Sequence, residues 1–261
     1  MGQVWVYADI ESPSYRSNGI KLWNNLFNWT MTYRRDSDTP HFYGSLTKKV
    51  KAVDHALFNR KIRSMLWIVS NCQTAGKREL FVKQLQKYTP VDVIGRCGVH
   101  ICPKGNNHCQ LLLMNNYKFL FAAENSNCRD YVTEKAYRPY GNFILPVVRG
   151  GGNYSLYFPP KSHINTGDFV SQTFVGNYEY LRNTLNYLDV NKEIYQSYIS
   201  VIKQYKADIL GVPMGVAFCK LCDKLNNQSK YRRLYRNIHD WWRGQEQTSG
   251  YFCEKDELAR L

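Results

Sequence analysis

Short apolar runs alternate with helically spaced apolar positions between residues 65 and 148 of this chain. Met65-Leu-Trp-Ile-Val69 predicts a buried strand, followed by a polar turn from Ser70 to Gly76. From Lys77 to Tyr88 the apolar side chains of Leu80, Phe81, Leu85 and Tyr88 recur at helical spacing. Val91-Asp-Val-Ile94 predicts a second strand closing on Gly95, and Phe119-Leu-Phe-Ala-Ala123 a third. A helix opens over Tyr131 to Tyr137. Ile144-Leu-Pro-Val-Val148 predicts a fourth strand, ended by Arg149 and three glycines, and helical patterns cover 177–188 and 191–205. Strands alternating with helices predict βαβ units, an α/β fold with a parallel sheet. In such sheets ligands bind beyond the carboxyl ends of the strands. The loops expected to carry function are therefore 70–77, 95–98, 124–135 and 149–154.

Outside that stretch the pattern weakens. Val4-Trp-Val-Tyr-Ala8 predicts one more buried strand, ending in the acidic turn Asp9-Ile-Glu-Ser-Pro13. Residues 14–50 read as loop-rich, and 220–261 as a separate basic tail carrying Trp241 and Trp242. No internal repeat or low-complexity segment is visible.

The 261 residues are enough to bury roughly 70–75% of the unfolded chain's surface, so neither metal nor disulfide is needed merely to fold. Hydrophobic content of 44% and charged content of 21% exclude disorder. No apolar run reaches the roughly 18–20 residues of a membrane span. The formal net charge of +14 attracts anions: nucleic acid, acidic lipid heads or a phosphorylated small molecule. The Lys and Arg residues are spread along the chain with no nucleic-acid-binding motif, which argues against nucleic acid. Eight cysteines and the sequons at Asn28, Asn153 and Asn227 point to an oxidising, secretory compartment. Cys97, Cys102 and Cys109 with His100 and His108 can be drawn as a zinc cluster, and Cys219-x-x-Cys222 as half a zinc ribbon. Neither has a well-spaced second pair, so disulfides are the preferred reading. Some of Cys72, Cys97, Cys102, Cys109 and Cys128 are expected to pair with each other. Cys219 and Cys222 are expected to be free, bridged to each other, or paired with Cys253.

Two places concentrate chemistry. The loop 124–135 follows a strand and enters a helix, where free backbone N–H groups favour phosphate. It offers an amide, carboxylates, a Tyr and a Lys: groups able to neutralise a diphosphate, accept from ribose hydroxyls and pack against a ring. Arg78, at the first turn of the helix after 65–69, occupies the other βα position where phosphate is expected.

Phe121-Ala-Ala-Glu-Asn-Ser through Asp130-Tyr-Val-Thr-Glu-Lys135 closely resembles the signature of the α1,3/α1,4-fucosyltransferases, glycosyltransferase family 10. The likeness continues through Pro146-Val-Val, Asn153-Tyr, Pro159-Pro-Lys-Ser and Asp168-Phe. Upstream, Glu11-Ser-Pro13 and Phe27-Asn-Trp-Thr-Met-Thr-Tyr-Arg-Arg-Asp-Ser-Asp38 fit in the family's order, as does Cys219-x-x-Cys222 downstream.

The resemblance implies a GT-B architecture: a Rossmann-like donor domain with a parallel sheet, plus a remnant of the N-terminal domain. It divides the chain into 1–50, the end of the acceptor domain with an interdomain segment; 51–218, the GDP-fucose domain; and 219–261, a Cys-containing basic tail. It implies an inverting enzyme that transfers L-fucose from GDP-fucose in α1,3 linkage to a GlcNAc of a glycan or glycoprotein acceptor. The alternative is a non-catalytic GDP-sugar-binding fragment. Glu11 would be the catalytic base, Arg78 and Lys135 would bind the diphosphate with Asn125 beside it, and Tyr131 and Glu134 would contact the nucleotide. The family does not depend on an Asp-x-Asp metal motif, so Asp36-Ser-Asp38 is read as a hydrogen-bonded structural loop. No obligatory metal is expected, and a stimulating role for Mn²⁺ stays open. By resemblance most of the acceptor domain, the stem and the anchor helix are absent from this chain, as are the usual partners of Cys219 and Cys222. The full-length form is expected in the Golgi lumen as a type II membrane protein, attached only through that anchor.

Overall fold

The computed structural model describes residues 2–16, 18–49, 61–99, 107–169, 174–244 and 253–254. Its strands are β1 (Val6–Asp9), β2 (Trp29–Thr32), β3 (Gly44–Lys48), β4 (Arg63–Ile68), β5 (Val91–Ile94), β6 (Tyr117–Ala123), β7 (Asn127–Cys128), β8 (Leu145–Arg149), β9 (Ile164–Asn165), β10 (Tyr205–Ile209) and β11 (Cys253–Glu254). Its helices are α1 (Arg78–Leu85), α2 (Asn107–Met114), α3 (Glu134–Gly141), α4 (Phe174–Val190), α5 (Lys192–Lys203), α6 (Gly211–Asn226) and α7 (Ile238–Arg243).

Five strands form one sheet in the order β5-β4-β6-β8-β9, parallel throughout. Both faces are covered. On one, Met65, Trp67, Phe119, Phe121, Leu145 and Val147 pack against apolar residues of α1, α3, α4 and α5. On the other, Leu66, Leu120 and Ile144 pack with Met114 of α2. Strands buried on two faces need continuous apolar runs, not alternation, which is why the central strands β4, β6 and β8 are readable in the sequence. The chain goes from β4 outward to β5, then crosses back to β6 on the other side of β4. That reversal opens a crevice beyond the carboxyl ends of β4 and β6, the place where such sheets bind ligands.

The stretch 14–50 holds more structure than its sequence suggests. β2 pairs in parallel with β1, Val6 opposite Trp29, and all four of its side chains are buried. Two threonines interrupt its apolar pattern, but Thr30 is satisfied by Asp38 and Tyr235, and Thr32 by Ser37. β3 pairs antiparallel with β10, where a helical pattern was expected to end. The segment read as a separate tail also folds back. Trp241 and Trp242 of α7 are buried with Tyr7, Tyr33 and Tyr131. The Arg34 guanidinium lies 4.1 Å over the Trp241 ring, donates to the Trp241 carbonyl, and is ion-paired with Asp36 at 2.6 Å. A basic, Trp-containing stretch reads as a tail only until the aromatic cluster that receives it is known.

Disulfides join Cys72 to Cys97 and Cys128 to Cys253. The first is a pairing within the expected set, and the second takes Cys253 to Cys128, away from Cys219 and Cys222. Cys109 is also disulfide-bonded, while Cys219 and Cys222 are free and exposed on α6. Cys102 and His100 lie outside the described residues.

Candidate active site

The loop after β4 is braced by its own helix: Thr74 donates through N–H and hydroxyl to the Glu79 carboxylate, at 3.1 and 2.8 Å. That fixes the start of α1, where Arg78 is buried. The Arg78 guanidinium donates to the carbonyls of Ala123 (2.8 Å) and Asn71 (3.4 Å), tying the ends of β4 and β6 together. Its Nε is buried with no partner among the described residues. Burial lowers its pKa, with Glu124 and nearby groups opposing the shift, and an arginine keeps its charge under such conditions.

The loop after β6 turns on Glu124, whose side chain is fully buried. One of its oxygens accepts the Thr133 N–H at 2.7 Å, the Thr133 hydroxyl lies 2.7 Å from the other, and Lys135 Nζ is 3.2 Å from that second oxygen. Lys135 also donates to Thr133 Oγ1 at 2.8 Å and lies 3.7 Å from Glu134. Glu134 and Lys135 thus open α3 at the site, both partly exposed. Burial pushes the Glu124 carboxyl above its ordinary value, against the pull of Lys135 and Thr133. The glycine run after β8 lets the chain pass close to this loop. A Cβ on Gly151 would stand 2.7 Å from the Asn127 and Cys128 backbone, and one on Gly152 2.4 Å from Val132.

Glu11 reaches the same place from β1. Asp9 accepts the Glu11 N–H at 2.9 Å and both Arg16 donors at 2.5 and 2.7 Å, so Asp9 organises the turn and is spent on it. The Glu11 carboxylate accepts from Asn125 Nδ2 (3.2 Å), the Ser12 N–H (3.2 Å) and the buried Tyr131 hydroxyl. The neighbouring residues hold the two loops together: Ser12 Oγ meets Ser126 Oγ at 2.6 Å, and the Tyr15 hydroxyl lies 3.2 Å from Ala75 N and 3.4 Å from the Asn125 carbonyl. Burial by itself would raise the Glu11 pKa. The three donors and the Lys135 charge outweigh it and hold the carboxyl below its ordinary value, ionised at neutral pH. Burial and the surrounding carboxylates push the Tyr131 phenol far up, so it serves as a donor. Asn125 Oδ1, like Arg78 Nε, is buried with no partner among the described residues.

Arg78, Asn125, Tyr131, Glu134, Lys135 and Glu11 are therefore brought into one neighbourhood at the switch point. Glu124 was legible only as one more loop carboxylate. Asp36 and Asp38 lie elsewhere and are committed: Asp36 to Arg34, and Asp38 to the Thr30 N–H (2.9 Å), the Tyr235 hydroxyl (2.8 Å) and Arg233. This is the hydrogen-bonded loop that was expected. Among the described residues no three His, Cys, Asp or Glu side chains converge as a metal site. Of the sequons, Asn153 is exposed with Ser155 bonded to its Oδ1, whereas the amides of Asn28 and Asn227 donate to the carbonyls of Arg233 and Asp223.

The protein-family profile described as "Glycosyltransferase family 10 (fucosyltransferase) C-term" matches residues 58–241, and "Fucosyltransferase, N-terminal" matches residues 1–44. The chain is 36% identical to Alpha-(1,3)-fucosyltransferase fut-1 of Caenorhabditis elegans over 97% of its length, covering 59% of that protein. It is 31% identical to Alpha-(1,3)-fucosyltransferase C of Drosophila melanogaster over 92% of its length, again covering 59% of the relative. A crystal structure of an α1,3-fucosyltransferase with GDP-fucose superposes with a TM-score of 0.59 at 19% identity, covering 87% of this chain and 76% of that one.

Proposed function

The chain belongs to glycosyltransferase family 10, the fucosyltransferases, and from that premise we propose that it transfers L-fucose from GDP-fucose in α1,3 linkage to a GlcNAc of a glycan acceptor, with inversion. One observation carries the reading. An ionised carboxylate in the turn after the N-terminal strand, Glu11, meets Asn125 and Tyr131 of the phosphate-side loop across more than a hundred residues of sequence.

In this reading Arg78 and the α3 start with Lys135 receive the diphosphate, and Asn125 lies beside it. Glu134 faces the ribose. Glu11 takes the proton from the acceptor hydroxyl as that oxygen bonds to fucose C1 and the C1–O bond to GDP breaks. An alcohol is a weak nucleophile at neutral pH, and a positioned base contributes roughly 10²–10⁴-fold. Charge that develops on the departing diphosphate falls to Arg78 and Lys135. All charges in this scheme come from the chain itself, so no obligatory metal is invoked. The disulfides, Cys72–Cys97 and Cys128–Cys253 among them, and an exposed sequon at Asn153 support a lumenal, Golgi setting. The structure bears on membrane attachment in one respect: among the described residues no helix is long and apolar enough to cross a membrane.

The test is incubation with GDP-fucose and a GlcNAc-containing glycan, with the product linkage assigned by NMR. The reading expects an α1,3-fucosylated product and stoichiometric GDP. GDP binding without transfer would instead make the chain a donor-binding fragment.

A further inference from the structure

Glu124 lies against a site that must accept an anion, yet it is itself a buried carboxylate, and burying a charge is costly unless it is paired and hydrogen-bonded. Among the described residues, its hydrogen-bond partners are the neutral Thr133 N–H and hydroxyl and the charged Lys135, while the buried Arg78 guanidinium, bonded to the Ala123 carbonyl next to it, feels its charge without an ion pair. A neutral amide could accept from Thr133 equally well, so loop geometry alone gives no reason for a carboxylate. Lys135 carries its charge on a long stem with several rotamers, and its side chain is 29% exposed. Without Glu124 the ammonium would be left to the neutral Thr133 hydroxyl, to water and to Glu134 on the outer turn of α3.

We propose that Glu124 is the positioning residue for Lys135: its carboxylate, clamped by Thr133, holds the Lys135 ammonium at the start of α3, facing the donor's diphosphate. Glu124 is locked in turn by close neighbours, since a Cβ on Gly150 would stand 3.1 Å from Glu124 Cγ. This rests on the reading of the crevice as a GDP-sugar site, and it makes a prediction of sign. As a bystander, the Glu124 charge would only repel the diphosphate, and removing it would tighten binding. As the anchor of Lys135, its removal weakens binding.

The experiment is calorimetric titration of the full chain with GDP and, separately, with guanosine, which lacks the phosphates. The wild-type protein is expected to bind GDP more tightly than guanosine. If it does not, the donor-site reading fails, and this proposal with it. Given that preference, Glu124→Gln is expected to lose GDP affinity by about tenfold while keeping its guanosine affinity. The double variant Glu124→Gln/Lys135→Ala should bind GDP no more weakly than Lys135→Ala alone. Unchanged or tighter GDP binding by Glu124→Gln overturns the proposal, as does an equal loss for guanosine, which would mark a merely structural role. Should Glu124→Gln fail to fold, Thr133→Val decides in the same way. It removes the hydroxyl that bridges Glu124 and Lys135, and GDP affinity is expected to fall by about threefold with guanosine unaffected. No selective loss there is equally fatal.

Discussion

The loops proposed to hold the donor hang from a parallel sheet whose central strands are buried on both faces, whereas Glu11 sits in the turn after β1, a four-residue strand paired, among the described residues, with β2 alone. In the first region each functional side chain sits at a strand end or helix start, and its position follows from the strand-loop-helix order around it. In the second, position comes from far away. Tyr7, Tyr33 and Trp242 pack edge to face, at 5.5 Å for both Tyr–Trp pairs, and the fully buried Arg34 reaches α7 more than two hundred residues on. The contrast teaches that the proposed donor loops and the proposed base rest mainly on different supports: apolar layers carry one, and an aromatic and ion-paired cluster carries the other. They meet through the contacts of Glu11, Ser12 and Tyr15 with the 75–76 and 124–131 loops, through the Arg35 N–H on Asp130, and through Tyr131 itself, whose ring packs 4.9 Å from Tyr33 in the aromatic cluster.

The comparison can be broken first at Trp242. Trp242→Ala removes a fully buried indole and should cost about 3–5 kcal/mol in stability, read from urea unfolding. If the supports are separate, GDP affinity measured well below the unfolding transition changes little. A collapse of GDP binding in a folded Trp242→Ala protein would join the two regions into one.

The next largest effects fall on the donor side. Lys135→Ala and Arg78→Ala should each weaken GDP binding by about 1.5–3 kcal/mol, the cost of a lost charge-assisted bond. Arg78→Ala should also lower stability, because its guanidinium ties β4 to β6 through the Ala123 and Asn71 carbonyls. Lys135→Ala leaves the Glu124 carboxylate buried without its cation. GDP affinity unchanged in both variants would remove the donor site from this crevice.

The smallest effect is a pH dependence shared by both regions. Burial lowers the pKa of His41, beside β2, and of His163, before β9, where Asp168 opposes the shift only in part. The unfolded chain takes up protons at these histidines near the ordinary value of about 6.5, and the folded protein does so only at lower pH. Stability from them is therefore full above about pH 6.5 and declines as pH falls towards their folded values. Urea midpoints should drop between neutral pH and pH 5.5, and His163→Gln should shrink that drop. The depressed Glu11 carboxyl adds a loss of the same sign further down, in the carboxylate range.

How much could be read beforehand follows the same division. Val91–Ile94 was placed to the residue although it is an edge strand with Asp92 inside it, and β4, β6 and β8 within two, because strands covered on both faces are written as apolar runs. β2 and β3 were passed over. Trp29-Thr-Met-Thr32 and Gly44-Ser-Leu-Thr-Lys48 mix hydroxyls with apolar groups, and their partners, β1 and β10, are set by tertiary contacts. The ends of α7 did carry a local signal, Asn237 accepting the Asp240 N–H at its start and Gly244 in a left-handed turn at its end. That signal was hidden in a basic stretch. Glu11, Asn125 and Tyr131 came from family likeness, and the structure supplied what likeness lacked, their mutual hydrogen bonds. Glu124 had no sequence signal beyond its place after an apolar strand, since a buried charge is recognised only by the partners that surround it.

The central claim is that Glu11 acts on the acceptor while the 124–135 loop and Arg78 hold the donor. Glu11→Gln keeps the size of the side chain and its capacity to accept from Asn125 and Tyr131, but removes the base. Fucose transfer and GDP affinity should be measured together on this variant and its parent, in the form of the protein that transfers. The account predicts GDP affinity close to the parent's with turnover reduced by roughly 10²-fold or more. Transfer at near the parent's rate would show that Glu11 is not the base, and Asp9, already bound to Arg16 and the Glu11 backbone, could not readily take its place.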